Sequence, residues 1–228
     1  MRTMRLSPVS DPAADLAEIA GLELNYDPST TGGKGWHHDR LRHTLAVEDP
    51  GEPEAGGPWE IACALVHDYE FADRWIMSAL FHGEAPLRGR DMLLEGRFVV
   101  LRFPMGVRVD TVVDETRARA DGSEERVWGW SYQTLGHHLE RGRLVYEVVK
   151  NTTTGRVEFV ITGVSSRASI PNPVIALGFL VFGRFTQRRF YRAVSAKLEE
   201  RVRWVLEGRP RPAPAHVGPG DIVRAPST

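Results

Sequence analysis

Between residues 129 and 142 the chain reads GWSYQTLGHHLERG, which concentrates aromatic, hydroxyl, imidazole and carboxylate groups in one short stretch. Trp130, Tyr132 and Thr134 alternate, so on a strand all three side chains share a face. His138 and Glu140 follow, an imidazole and a carboxylate two positions apart that could bind or move a proton. Two readings stay open. In one, Thr134, His138 and Glu140 satisfy backbone groups in a demanding connection between strands. In the other, the shared face lines a pocket with two aromatics and a hydroxyl, and His138 and Glu140 sit at its mouth.

The remaining reactive residues mostly argue against other chemistries. His37 and His38 adjoin Asp39, but neighbours in an extended segment point opposite ways, so they are expected on a polar surface and no metal is expected. One cysteine, Cys63, allows no internal disulfide and no cysteine-rich metal site, which suits a reducing, cytoplasmic setting. No nucleophile elbow, phosphate-loop spacing or dinucleotide fingerprint occurs, and no cofactor is expected. With 29 basic and 30 acidic residues the net charge is −1, so no global field favours nucleic acid. Only three of the basic residues are lysines, a bias like that of a high-GC bacterial genome.

The elements that must position these residues can be read from periodicity and punctuation. Asp11 and Pro12 open a helix over 12–20, and Trp59, Ala62, Leu65, Val66 and Tyr69 mark a second over 58–69. Residues 27–35 are a loop, and 72–82 stays open between helix and strand. Strands are expected over 92–103 and 106–117, divided at Pro104, and over 126–134. A hairpin of 143–150 with 156–166 is expected across the short Asn-Thr-Thr-Thr-Gly loop. Phe190, Tyr191, Val194, Leu198, Val202 and Val205 form the stripe of a long helix over 184–207, which Gly208 stops. The proline-rich segment 209–228 is expected to be disordered, leaving one domain over 1–208 with an N-terminal extension over 1–21.

Residues 1–21 carry acids and no apolar core, unlike a secretory signal. The apolar run 174–183 is too short for a bilayer span, which needs about 20 residues. Segment 171–192 adds arginines to that run. It suits either a plug against a hydrophobic sheet or a helix lying on a membrane surface. Consecutive antiparallel strands need one face covered, so the fold expected is α+β: a curved antiparallel sheet wrapped around the long C-terminal helix. One helix cannot fill the whole concave face, and the remaining space is filled by side chains or left as a pocket.

Several of these residues resemble a known family. Gly129, Tyr132, Thr134, Leu135, His138, Glu140 and Gly142 match the signature of the DUF1990 (UPF0548) domain family. Leu24-Asn25-Tyr26, the Ser-Ser-Arg that ends at Arg167, and Gln187 with Tyr191 resemble its other motifs. His137, Leu139 and Arg143 stand where the family has glycine, proline and a second glutamate. The resemblance implies a fold similar to START-like helix-grip proteins and implies no established reaction. Three function classes follow as expectations. The first is binding of a small apolar or amphipathic molecule between sheet and helix, with Trp130, Tyr132, Thr134, Phe159 and Tyr191 as walls. His138, Glu140 and Arg167 would supply polarity, with Asn25 and Tyr26 nearby. The second is an enzyme (hydrolase, cyclase or isomerase) using His138 and Glu140 as an acid–base pair. The third is membrane or partner contact through 171–192.

Overall fold

In the computed structural model, residues 11–33, 35–98, 101–136, 138, 140–167, 173–217 and 220–227 are described. Helix α1 (Pro12–Ala20) starts where the sequence dictates: the Asp11 carboxylate accepts from the amide of Ala14 at 3.1 Å, and Pro12 occupies the first turn. Helix α2 (Pro58–His67) has no cap of its own. Its N-terminus borrows Glu48, whose Oε1 accepts from the amide of Trp59 at 2.7 Å. Helix α3 (Pro173–Leu206) begins earlier than its apolar stripe suggested, so the run 174–183 lies within the helix itself. Gly208, at φ +83°, adopts the left-handed conformation that ends it.

The strands are β1 (Trp36–Val47), β2 (Met77–His82), β3 (Asp91–Phe98), β4 (Leu101–Ala118), β5 (Glu124–Thr134), β6 (Glu140–Asn151), β7 (Arg156–Arg167), β8 (Ala215–His216) and β9 (Ile222–Ala225). They form one antiparallel sheet in the order β1-β7-β6-β5-β4-β3-β2-β9-β8. The β6–β7 hairpin is the expected one, and of the segment 72–82 only residues 77–82 form a strand, β2.

Two expectations fail. Pro104 does not divide two strands, because β4 runs through it and pairs Pro104 with Glu95. Pairing of β4 with β5 begins only at Val107, so one flank of Pro104 has no strand that would require its missing N–H. Nor is the segment 209–228 a disordered tail. Its residues 222–225 pair with β2, and Ile222, Val223 and Ala225 are buried. Four residues between a proline-rich stretch and Pro226 gave too short a pattern to be read as a strand.

Alternation decides the two faces. Leu144, Tyr146 and Val148 of β6 and Val157, Phe159 and Ile161 of β7 turn toward the concave side, joining Trp130 and Val109 in one large core. Both α2 and α3 cover it, with Leu65 and Val66 from α2 and Phe190, Val194, Leu198 and Val202 from α3. On the other side α1 packs Leu16 and Ile19 onto Leu80, Leu93, Leu135 and Ile222. Two fully buried ion pairs fix the covering layer: Lys150 with Glu48 at 2.6 Å and Arg201 with Glu70 at 2.6 Å. Burial of such charges is costly, so their contribution is to the placement of α2 and α3 more than to net stability.

Candidate functional site

The stretch 129–142 spans the end of β5, a tight connection and the start of β6, and most of its polar groups are consumed there. Thr134 donates its hydroxyl to the side-chain carbonyl of Asn25 and accepts from the amide of Gly142 at 2.9 Å. The Asn25 amide donates to the Thr134 carbonyl at 3.0 Å, and Gly136 donates to Glu23 at 2.9 Å. Gly142 must be glycine, because a Cβ there would lie 2.1 Å from the carbonyl oxygen of Val164. The stretch is first of all a joint that clamps residues 23–25 to the sheet.

His138 belongs to that joint. Its Nδ1 lies 3.0 Å from both the amide nitrogen and the carbonyl oxygen of Glu140, so it accepts from the one or donates to the other according to its tautomer. The imidazole thus engages the backbone of Glu140, and the expected imidazole–carboxylate pair is not made through this nitrogen. Burial pushes its pKa down to about 4, so at neutral pH it carries no charge. The Glu140 carboxylate instead makes itself felt at Tyr132, whose hydroxyl it helps to keep protonated after burial, the larger cause. Arg167 is the residue opposite Glu140 in the β6–β7 register.

The aromatic row faces inward as expected, but it is not uniform. Trp130 is 1% exposed and Phe159 0%. Trp130 donates its indole N–H to the Val66 carbonyl at 3.1 Å, while Phe159 stacks on Tyr146 with centroids 5.9 Å apart. Trp130 packs under α2, and Phe159 packs between Tyr146 and Phe71. Farther along the same face Tyr132 is 8% exposed and Leu144 9%, and Tyr191 of α3 is 4% exposed. The Tyr191 hydroxyl lies over β7 where Gly163 leaves room, since a Cβ would meet it at 2.5 Å. The wall is therefore closed at Trp130, Tyr146 and Phe159 and keeps residual access at Tyr132, Leu144 and Tyr191.

Tyr26 is placed elsewhere. Its ring meets Trp36 edge-on at 5.9 Å, and its charged neighbours are Arg143 and Asp110. Asp110 is the extra residue of a bulge in β4 and collects Ser131 at 2.6 Å, Gln133 at 2.9 Å and Arg143 at 2.9 Å. His37 and His38 lie opposite Ser165 and Val164, on successive positions of β1 and so on opposite faces. Among the described residues no group of three or more His, Cys, Asp or Glu is placed to hold a metal ion. Burial raises the Cys63 thiol far above its ordinary range, which leaves it inert as a nucleophile.

Two residues that matter on the concave face were missed as site candidates. Tyr69 and Tyr146 were read only as packing positions, and their hydroxyls approach that of Tyr132. An inward-facing tyrosine on a strand, beside another on the neighbouring strand, is the signal that could have shown this.

The family model described as "Domain of unknown function (DUF1990)" matches residues 23–197. The chain belongs to this family. Its DUF1990 match starts at the clamped segment around Asn25 and ends within α3, so it covers every residue of the joint and of the tyrosine group. No curated protein matches the chain. Among solved structures it is similar to Ara h 8.0201, with 10% identity, TM-score 0.41, and coverage of 74% of this chain and 98% of the other. It is likewise similar to a norcoclaurine synthase point mutant from Thalictrum flavum in complex with a transition-state analogue. There the identity is 11%, the TM-score 0.41, and the coverage 72% of this chain and 94% of the other.

Proposed function

We propose that this DUF1990 protein binds a small apolar or amphipathic molecule against the concave face, at the end bounded by Tyr132, Leu144 and Tyr191. The observation that carries this is the gradient of burial along one face: 0–1% at Tyr146, Phe159 and Trp130, against 4–9% at Tyr191, Tyr132 and Leu144. Large apolar side chains aimed inward yet still accessible are the ordinary lining of a ligand site, with a few polar groups to orient the guest. His138, Thr134 with Asn25, and Glu140 stand at the edge of that region. Acid–base catalysis by a His138–Glu140 pair has less support, because the imidazole Nδ1 is engaged by the Glu140 backbone and the ring stays neutral. No helix among the described residues is long and apolar enough to cross a membrane. Residues 171 and 172 of the segment considered for surface contact lie outside the described residues, and the rest is the first half of α3.

Native mass spectrometry of protein purified without detergent tests the reading. A retained small molecule in the wild type, lost in Tyr132→Ala while the fold persists by circular dichroism, is the expected result. An identical extract from both proteins would remove Tyr132 from the site.

A further inference from the structure

We infer that the molecule held at this site presents an uncharged oxygen acceptor, such as a ketone or ester carbonyl, to the hydroxyl of Tyr132, with Tyr146 and Tyr69 aligned behind it. The inference rests on the proposed binding site and specifies its chemistry.

Three tyrosines converge here. The rings of Tyr132 and Tyr146 are 6.0 Å apart, and both Tyr132 and Tyr69 lie against Trp130, at 6.2 Å and 6.3 Å. The hydroxyls of Tyr69 and Tyr146 are fully buried without a hydrogen-bond partner of proper geometry. Each such group costs about 1–3 kcal/mol, and buried hydroxyls in folded proteins are nearly always satisfied by protein, water or a bound molecule. Tyr69 carries a second cost. Its φ is +59°, a left-handed conformation that glycine adopts freely and a bulky residue does not. The hydroxyl nearest that of Tyr69 belongs to Tyr146, and Tyr146 in turn meets Tyr132, so the three stand in a row.

A row of hydroxyls has a direction. Each can donate to the next and accept from the one before, so the row is completed by a single acceptor at its open end. Tyr132 is that end, because it alone of the three keeps access. Each hydroxyl in such a row polarises its neighbour, which makes the terminal one a better donor. The acceptor should be neutral. Lys150 and Arg201 on the concave face are paired with Glu48 and Glu70, the His43 ring meets Glu199 at 2.7 Å, and Arg90 is turned to the Ala85 carbonyl and the Phe81 ring. The charge of Glu140 also reaches Tyr132 and would repel an anion placed there.

Benzophenone, diphenylmethane and diphenylacetate share a hydrocarbon frame and differ in bearing a neutral oxygen, none, or a carboxylate. NMR titration of the full chain should give benzophenone a Kd about fivefold below that of diphenylmethane, the effect of one net hydrogen bond, with diphenylacetate weakest. Tyr132→Phe should erase the preference for the ketone over diphenylmethane, and Tyr146→Phe should reduce it. Equal binding of ketone and hydrocarbon, or tightest binding of the carboxylate, would overturn this inference and leave the binding site standing. Failure of the wild type to bind any of the three would overturn both. The wild-type comparison alone decides the matter if a variant does not fold.

Discussion

The amide of Asn25 donates to the carbonyl of Thr134 at 3.0 Å, joining residues 109 positions apart. Their side chains bond as well, and the Asn25 amide group also reaches the Glu140 carbonyl at 3.3 Å. Two short motifs that look independent in the sequence, Leu-Asn-Tyr near the start and Tyr-Gln-Thr-Leu-Gly in the middle, are thus two halves of one joint. The joint closes the β5–β6 connection two residues beyond Tyr132 on the same strand.

Removing either half should be felt at the other. Thr134→Val leaves the Gly142 amide and the Asn25 carbonyl oxygen without their partner, and Asn25→Ala strips Thr134. Each substitution is expected to lower unfolding free energy by about 1–3 kcal/mol. The double variant should cost clearly less than the sum, because one interaction is lost in both. Urea denaturation of the four proteins gives the cycle, and strict additivity would show that the two residues act separately.

His138 makes stability depend on pH. Its folded pKa of about 4 lies below the ordinary value of 6.5 because burial disfavours the imidazolium. The unfolded chain therefore takes up the proton first as pH falls. The stabilisation is complete above pH 6.5, is lost progressively as pH drops from there toward 4, and changes no further below that. The loss attributable to this residue is about 3 kcal/mol at most. His138→Gln should flatten the wild-type slope of stability against pH within that window, whatever it does to stability at neutral pH. Parallel slopes for the two proteins would show that the imidazole is not desolvated.

Glu70 and Arg201 test the buried charge layer. Burial raises the Glu70 carboxyl and Arg201 opposes that rise, so removing the arginine leaves a carboxylate that is both buried and unpaired. Arg201→Met is expected to destabilise by about 3–5 kcal/mol, and adding Glu70→Gln should recover part of the loss. Thermal melts of the single and double variants read this directly. A single variant as stable as the wild type would mean that the pair is solvated.

How much of this was legible in the residues follows from the range of each interaction. The helices α1 and α2 carry local signals, a cap at Asp11 and prolines at 12 and 58, and they appear where those signals put them. That Leu144, Tyr146 and Val148 share one face of β6 follows from alternation alone, but which face turns inward does not, because Val145 and Val149 lie on the other. The bulge at Asp110 and the pairing of β9 with β2 depend on contacts far apart in sequence, and no local pattern announces them. The signature stretch lies between these cases. Its side-chain alternation was readable, but whether Thr134 and His138 would meet a guest or the backbone turned on where residues 23–25 return, and only the folded chain shows that.

The C-terminal segment gives the last test, because its composition predicts disorder and the fold gives it a strand. Strand β9 pairs with β2 from Ala79 to His82, and Ser227 donates its amide to Glu70 at 2.8 Å. Arg211 reaches Asp68 at 2.6 Å, tying the connection to the end of α2. A chain ending at Gly208 would lose the burial of Ile222 and Val223, worth about 3–6 kcal/mol together, and would expose the edge of β2. Open edges recruit other strands. The shortened protein should therefore melt well below the full chain and self-associate on size-exclusion chromatography as concentration rises. A monomer with an unchanged melting temperature would restore the view of 209–228 as an appendage.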